Sequence, residues 1–539
     1  MKKNNKRGFV LLMTGLLLIQ LVVLIFYGSQ KTGFHEDELY SYYSSNKTAG
    51  LFLKDREWVL GETLREELVV LPGEQFRYSV VKQMQSWDVH PPIYYYLLHT
   101  VCSLSPGVFS KWQGIAVNLA GYVICYFLLA LLAYRVACRS LKEESYAPMA
   151  VTFLTCCWWG FSAAVISGVM FIRMYQWLTV FVLLCMWLHI RAVEEEHPSF
   201  RSFYLPLGIT VFLGFLTQYF YIIFHVFLGA GFCIYLLMNK KWKSLAAYVG
   251  TCAVSLGAAL LYYPSALSHI FRGYRGTEAV GEFSDVSNTM GRLRFFVGLF
   301  NEYVTGGWLA VWLLMLCLLA LTRYFLKKRG HVFSTLWDVP VNLLLLACGG
   351  YFFTVAKTSL LLGETSNRYE LPIYGMLLLL LVLFTWKLST DLLLKGKGNK
   401  RLQVMTAIGG CLVLLSVLPG FLGHKVFFLY PEEKELAEYV EHHTENKAVV
   451  LYYEESGDHM WWLLDELGLF QEVYMASLSG QEAYTDKELQ DADTLVVYVA
   501  DCEEGRQGLQ LLKDSCKMSG EEKLLGIKNT WSVYELHKP

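Results

Sequence analysis

Two short strings in this chain place acids, imidazoles and prolines where they could move a proton or grip an anion. The first is Phe34-His35-Glu36-Asp37-Glu38-Leu39-Tyr40, which sets three carboxylates just after a long apolar run. A carboxylate there can take the proton from an acceptor hydroxyl, or help to hold a divalent cation. The second is Trp87-Asp88-Val89-His90-Pro91-Pro92-Ile93-Tyr94-Tyr95. Proline after His90 favours an extended backbone at the histidine, and Pro92 suits the first turn of a helix. A histidine held that way at the mouth of a helix is placed to bind phosphate or metal. Taken singly, an acidic pair is more often a solvated loop start, and His-Pro-Pro more often a capped turn.

Further along, Phe171-Ile172-Arg173-Met174-Tyr175 and Ser366-Asn367-Arg368-Tyr369-Glu370-Leu371-Pro372 each put a permanent cation beside an apolar segment. Charge at that depth is costly and usually finds a partner. Arg173 and Arg368, with Lys357, could grip an anionic lipid head, because guanidinium meets phosphate bidentately. Snorkelling to lipid headgroups is the plainer role of each arginine alone. Thr217-Gln218-Tyr219 interrupts a long apolar stretch as a tight turn.

The elements that must position these residues are membrane helices. The 539 residues are 54% hydrophobic and only 17% charged. Apolar windows of bilayer-spanning length recur near 9–28, 112–137, 147–166, 172–190, 202–217, 219–238, 244–263, 295–321, 339–358, 371–388 and 403–423. The first is too long for a signal-peptide core and has no small-x-small cleavage site, so it reads as a retained span. Basic clusters at the N-terminus, around Arg135, Arg139 and Lys142, at Arg191 and Arg201, at Lys240, Lys241 and Lys243, from Arg323 to Arg329, and from Lys387 to Arg401 alternate with loops of few positive charges, apart from 264–294 with Arg272, Arg275, Arg292 and Arg294. The positive-inside rule therefore places the N-terminus in the cytoplasm, and puts a first loop, 29–111, and a tail, 426–539, outside. The segment 93–104 is too short to span and should lie in the interface.

The tail changes character. Runs such as Ala448–Tyr453 and Thr494–Val499 read as strands, Pro431–His442 and Glu504–Lys513 as helices, together a small α/β domain. Its cysteines, Cys502 and Cys516, could pair in an oxidising exterior or stay free. Asp491-Ala492-Asp493 mimics a metal-binding Asp-x-Asp but reads better as a helix-to-strand loop. The net charge of -1 argues against a nucleic-acid partner.

The Asp-Glu pair after the first span, Asp-x-His-Pro-Pro-x-Tyr-Tyr closing the first loop, Arg-Met-Tyr and Arg-Tyr-x-x-Pro together resemble the GT-C membrane glycosyltransferases. The likeness is to the bacterial branch related to dolichyl-phosphate-mannose protein mannosyltransferases and to the lipid A aminoarabinose transferase, and it covers residues 1–425. It implies a multi-pass enzyme of the cell membrane that moves a sugar from a polyprenyl-phosphate carrier to an extracytoplasmic acceptor (protein, lipid or wall polymer) with inversion. By the same resemblance Asp37 is the catalytic base and Glu38 its acidic partner. His90, Pro91 and Pro92 shape the carrier and acceptor cavity, Arg173 and Arg368 stabilise the leaving lipid phosphate, and Tyr94, Tyr175 and Tyr369 complete the substrate-binding set. Some relatives bind a divalent metal near the first-loop acids, which here would fall to Asp37, Glu38 and His90. No large sugar-binding insert is present, and the tail has no counterpart in the motif pattern. A transporter or flippase of lipid-linked saccharides is the main rival; it calls for charge at mid-membrane and internal repeats. A scaffold working through its tail is a third reading.

Overall fold

The computed structural model describes residues 3–47, 54–141, 146–195, 198–333, 335–393, 399–453, 460–479 and 482–539. Lys2, Lys142, Lys395 and Lys397 of the expected cytoplasmic clusters lie outside these.

Apolar length builds the first part. Among the described residues nine helices are long and apolar enough to cross a bilayer, from Arg7–Gln30 to Gln403–Leu422. The pair Ala147–Phe161 and Ala163–Met170, bent by 55°, is together also long and apolar enough to cross, as a broken span or a re-entrant loop. An eleventh apolar element, Phe200–Phe215, is shorter and begins as a π-helical turn. The expected span at 295–321 divides instead: Thr289–Tyr303 ends before Gly306 and Gly307, both with positive φ, and the crossing helix is Leu309–Lys328. Large apolar side chains such as Leu11 and Leu261 point outward, as expected where the surrounding solvent is hydrocarbon. The chain is a multi-pass membrane protein.

One end of the bundle carries the rest. Helix α1 (Lys3–Gln30) is followed at once by α2 (Glu36–Asn46). The stretch 93–104 forms a separate short helix, Ile93–Ser103, whose first amide donates to the Leu216 carbonyl at 3.0 Å.

The tail folds around a six-stranded sheet in the order β1-β3-β2-β4-β6-β5. The strands are β1 (Glu57–Leu60), β2 (Lys447–Tyr452), β3 (Glu472–Ser477), β4 (Thr494–Ala500), β5 (Glu522–Lys528) and β6 (Trp531–His537). β2 lies between β3 and β4, parallel to both, and the middles of all three are buried continuous apolar runs, as parallel strands covered on both faces require. β1 comes from the first loop, pairing Glu57 with Met475 through Leu60 with Glu472, antiparallel. The domain is thus not made from residues 426–539 alone. Cys502 and Cys516 are free thiols; Cys502 caps the helix Glu503–Cys516 by accepting from the Gly505 amide at 3.3 Å. Asp491 ends a helix and Thr494 opens β4, so Asp491-Ala492-Asp493 is a helix-to-strand loop.

Candidate functional site

The first acidic string folds as a capping box. His35 is the N-cap of α2, its Nδ1 accepting from the Asp37 amide at 3.1 Å, while the Glu38 carboxylate accepts from the His35 amide at 2.7 Å. Three acids in the first turn also suit the positive end of the helix dipole.

Glu38 and Asp37 then part company. Glu38 is fully buried: Oε2 meets Lys31 Nζ at 2.8 Å and Oε1 accepts from the Ile172 amide at 2.8 Å. It does not line the cavity described below. The expectation that Glu38 shares the chemistry with Asp37 therefore needs correction, because every direction it could act in is taken by a structural partner. Through Ile172, Glu38 fixes the break 171–174 that carries Arg173. Asn118 closes the same break from the other side, donating to the carbonyls of Val169 at 3.1 Å and Phe171 at 2.6 Å. Gly114 lets Ile172 come this close, since a Cβ there would sit 2.2 Å from Ile172 Cγ2. Glu38→Gln should leave Lys31 as an uncompensated buried cation and cost about 3–5 kcal/mol, whereas Lys31→Met with Glu38→Gln should recover most of it. Thermal unfolding in detergent reads both; equal losses for single and double variants would contradict this role.

Asp37 points the other way, into the open. Its Oδ1 lies 3.5 Å from Arg173 Nη2 and its Oδ2 3.5 Å from Arg368 Nη2. Both arginine side chains are 4% exposed, the aspartate 27%. Burial opposes ionisation of Asp37, but the guanidiniums of Arg173 and then Arg368 outweigh it and hold the carboxyl well below the usual carboxylate range. Burial, reinforced by the same cations against the pull of Asp37, pushes His35 down to about 4. His35 is therefore neutral at physiological pH, and its 3.7 Å approach to the Asp37 carboxylate is not an ion pair.

Arg173 is the node of the site. Nη1 donates to the Asp37 carbonyl at 3.2 Å, Ser41 Oγ at 3.3 Å and Tyr95 Oη at 2.9 Å. Nη2 reaches His90 Nε2 at 3.2 Å. A guanidinium only donates, so Nε2 must accept and the His90 proton sits on Nδ1, which faces Asp88 Oδ2 at 2.8 Å. Burial works against the Asp88 charge, yet His90 prevails and brings its carboxyl down to about 2. Asp88, Tyr95 and Lys31 are site residues to which the sequence motifs assign no role. The Asp-x-His spacing is the available signal for Asp88; nothing local marks Lys31.

The donors left over matter most. Arg173 Nε and Arg368 Nε and Nη1 are buried without a hydrogen-bond partner among the described residues. Unmet buried donors on a charged group are costly, and a ligand anion would satisfy them.

These groups open on a cavity of about 960 Å³. Asp37, His90, Arg173, Tyr175, Arg368 and Tyr369 line it, together with Asp88, Gln218, Tyr219, Arg275 and Glu278. Its apolar wall includes Ile222, Ile223, Val280, Phe283, Leu360 and Leu362. Pro91 and Pro92 do not reach the cavity but turn the chain into the Ile93–Ser103 helix. Tyr94 is fully buried away from it, and its neighbour Tyr95 makes the contact with Arg173. Lys357 is likewise removed, donating to the Asp285 carbonyl at 2.5 Å and to Asn288, so it anchors a loop and does not face the cavity. Among the described residues no group of three His, Cys, Asp or Glu side chains could hold a metal. Asp37, Glu38 and His90 do not converge: Glu38 turns to Lys31, and the free edge of His90 faces Arg173. The expected divalent site does not fit.

An acid flanked by two buried guanidiniums thus stands in a multi-pass helical chain that also carries a six-stranded sheet, and this fold has a counterpart among solved structures. The particular likeness is to ArnT from Cupriavidus metallidurans. In its undecaprenyl-phosphate-bound structure that protein is similar to this chain with a TM-score of 0.51, at 10% identity over 98% of both chains. In the apo state the TM-score is also 0.51, at 11% identity over 98% of each. Coverage of that extent takes in the C-terminal sheet, for which the motif pattern had offered no counterpart. The oligosaccharyltransferase of Archaeoglobus fulgidus, in complex with Zn and sulfate, is similar only at a TM-score of 0.40 and 11% identity, over 89% of this chain and 67% of that one. No protein-family model and no curated protein matches the sequence.

Proposed function

We propose that this chain is a membrane glycosyltransferase that moves a sugar from a polyprenyl-phosphate carrier to an extracytoplasmic acceptor with inversion. One observation carries the reading: a carboxylate held ionised between two buried arginines whose remaining N–H groups are unmet, at the mouth of a large cavity with an apolar wall. The base, the leaving-group site and a berth for an isoprenoid chain are in one place.

The acceptor hydroxyl oxygen attacks the anomeric carbon from the face opposite the phosphate, so the new C–O bond forms as the bond to the phosphate oxygen breaks. Its proton passes to an oxygen of Asp37, and the polyprenyl phosphate leaves as an anion on Arg173 and Arg368. His90, held by Asp88, keeps Arg173 in place; Tyr175 and Tyr369, edge to face at 5.7 Å, wall the phosphate side. Undecaprenyl phosphate, the lipid bound by the ArnT of similar fold, is the carrier type this cavity suits. Under the topology read from the basic clusters, the first loop, the site and the tail all lie outside, where such carriers present their sugars.

The test is incubation of the purified protein with a panel of polyprenyl-phosphate sugars and cell-envelope extract, followed by mass spectrometry. One acceptor should gain a single glycosyl mass while polyprenyl phosphate accumulates. No glycosylated product from any donor would overturn the proposal.

A further inference from the structure

Residues 423–433 leave the last membrane helix and pack behind the site, against 31–35, Ser167 and Phe171, before entering the sheet domain. Their backbone makes much of that contact. The Phe427 amide donates to Ser167 Oγ at 3.1 Å, the Phe428 carbonyl accepts from Lys31 Nζ at 2.6 Å, and the Leu429 carbonyl accepts from the Thr32 amide at 2.8 Å. Lys31 is the same residue that pairs with Glu38 in the cap of α2. Phe428 and Tyr430 hold φ of 65° and 54°, a left-handed conformation that only a firmly determining environment imposes on bulky residues.

What is gained at Phe428 is a ring in a particular place. It is buried and stacks face to face on Phe171, with centroids 4.0 Å apart and planes at 14°. The Arg368 guanidinium lies 5.1 Å from the Phe171 ring, and His35 sets its edge against both phenylalanines, at 5.5 and 5.9 Å. Phe428 therefore touches the support of one catalytic-side arginine and the N-cap of the helix bearing Asp37, yet it does not line the cavity.

We infer that Phe428 is a positioning residue through which the C-terminal domain sets the anion site. Its ring fixes the plane of Phe171, against which the Arg368 guanidinium lies, and braces His35 at the head of α2. The inference rests on the reading of Arg173 and Arg368 as a phosphate site, and it gives the sheet domain a role in binding, that of anchoring the far end of the 423–433 segment.

The experiment measures affinity of the full-length protein for undecaprenyl phosphate in detergent, with Arg368→Ala as reference. Phe428→Leu keeps apolar bulk and removes the ring face; it should weaken binding about tenfold, the size of one lost aromatic support. Phe428→Tyr, which keeps the ring, should restore wild-type affinity, a recovery that mere filling of space would not require. Phe428→Met replaces the leucine variant should that one not fold. Wild-type affinity in the leucine or methionine variant, while Arg368→Ala loses binding, would overturn the positioning role alone. Wild-type affinity in Arg368→Ala would overturn the phosphate site on which it rests.

Discussion

Asp37→Asn should lower sugar transfer by about 10²–10⁴-fold, the usual reach of a general base, while the protein still inserts and binds its lipid. Asparagine keeps the size of the side chain and loses its charge. The cost of that loss falls on the chemical step alone, because the two arginines hold other partners or spare donors. Affinity for undecaprenyl phosphate should stay level or rise, since the carboxylate that competes for the guanidiniums is gone. Loss of binding in parallel with loss of rate would mean that Asp37 supports the site and does not take the proton. The wild-type structure explains why such a split is expected. A carboxylate bracketed by two cations is ionised but weakly basic, so in the proposed reaction a phosphate docked on Arg173 and Arg368 would free it to act. The stability that these pairs lend is present above the unfolded aspartate value of about 3.9 and is lost as pH falls toward the lowered folded one.

Arg368→Ala should show the opposite pattern. Hydrogen bonds to charged groups are worth about 1.5–3 kcal/mol each, and Arg368 has Nε and Nη1 to offer an anion. Removing them should weaken undecaprenyl phosphate binding by at least about a hundredfold, with catalysis falling in step. Arg368→Lys should recover charge but not the fork, and so only part of the affinity. With one cation gone, the Asp37 carboxyl moves back up toward its ordinary range, so the acid limb of the rate profile should shift to higher pH. Binding isotherms and pH–rate profiles on the same preparations check both; an unshifted acid limb would mean that Asp37 is not the titrating base.

The membrane helices were legible because hydropathy at bilayer length is a strong periodic signal, and so were the strands at 447–452 and 494–500. The division of 295–321 was not, because the positive-φ turn at Gly306 and Gly307 interrupts a segment that stays apolar on both sides. β1 escaped notice because its four residues pair with a strand some 400 positions away, and nothing local distinguishes Glu57–Leu60 from a loop. At the site, Asp37, His90, Arg173 and Arg368 stood out by residue type beside apolar runs. The roles of their neighbours did not. Glu38 and Asp37 look equivalent in sequence, yet one turn of a capping box sends Glu38 into the protein and Asp37 into the cavity. Lys31 carries no local mark of its role, which comes from Glu38 of α2 and the Phe428 carbonyl of the returning 423–433 segment. Lys357 failed in the converse way: expected to help grip the lipid head, it is engaged with the 285–288 loop.

If the chain is a transferase, the bond between the sugar and a lipid phosphate is broken as Asp37 takes the proton of the acceptor. Proteoliposomes loaded with a polyprenyl-phosphate sugar that carries label in both sugar and lipid, with envelope acceptor supplied on the tail side, decide the matter. Wild-type protein should move the sugar label to the acceptor and leave the lipid label as free polyprenyl phosphate in equal amount, and Asp37→Asn should do neither. Appearance of intact doubly labelled lipid on the opposite leaflet, with no acceptor labelled, would contradict bond breakage and make the chain a transporter of lipid-linked sugars.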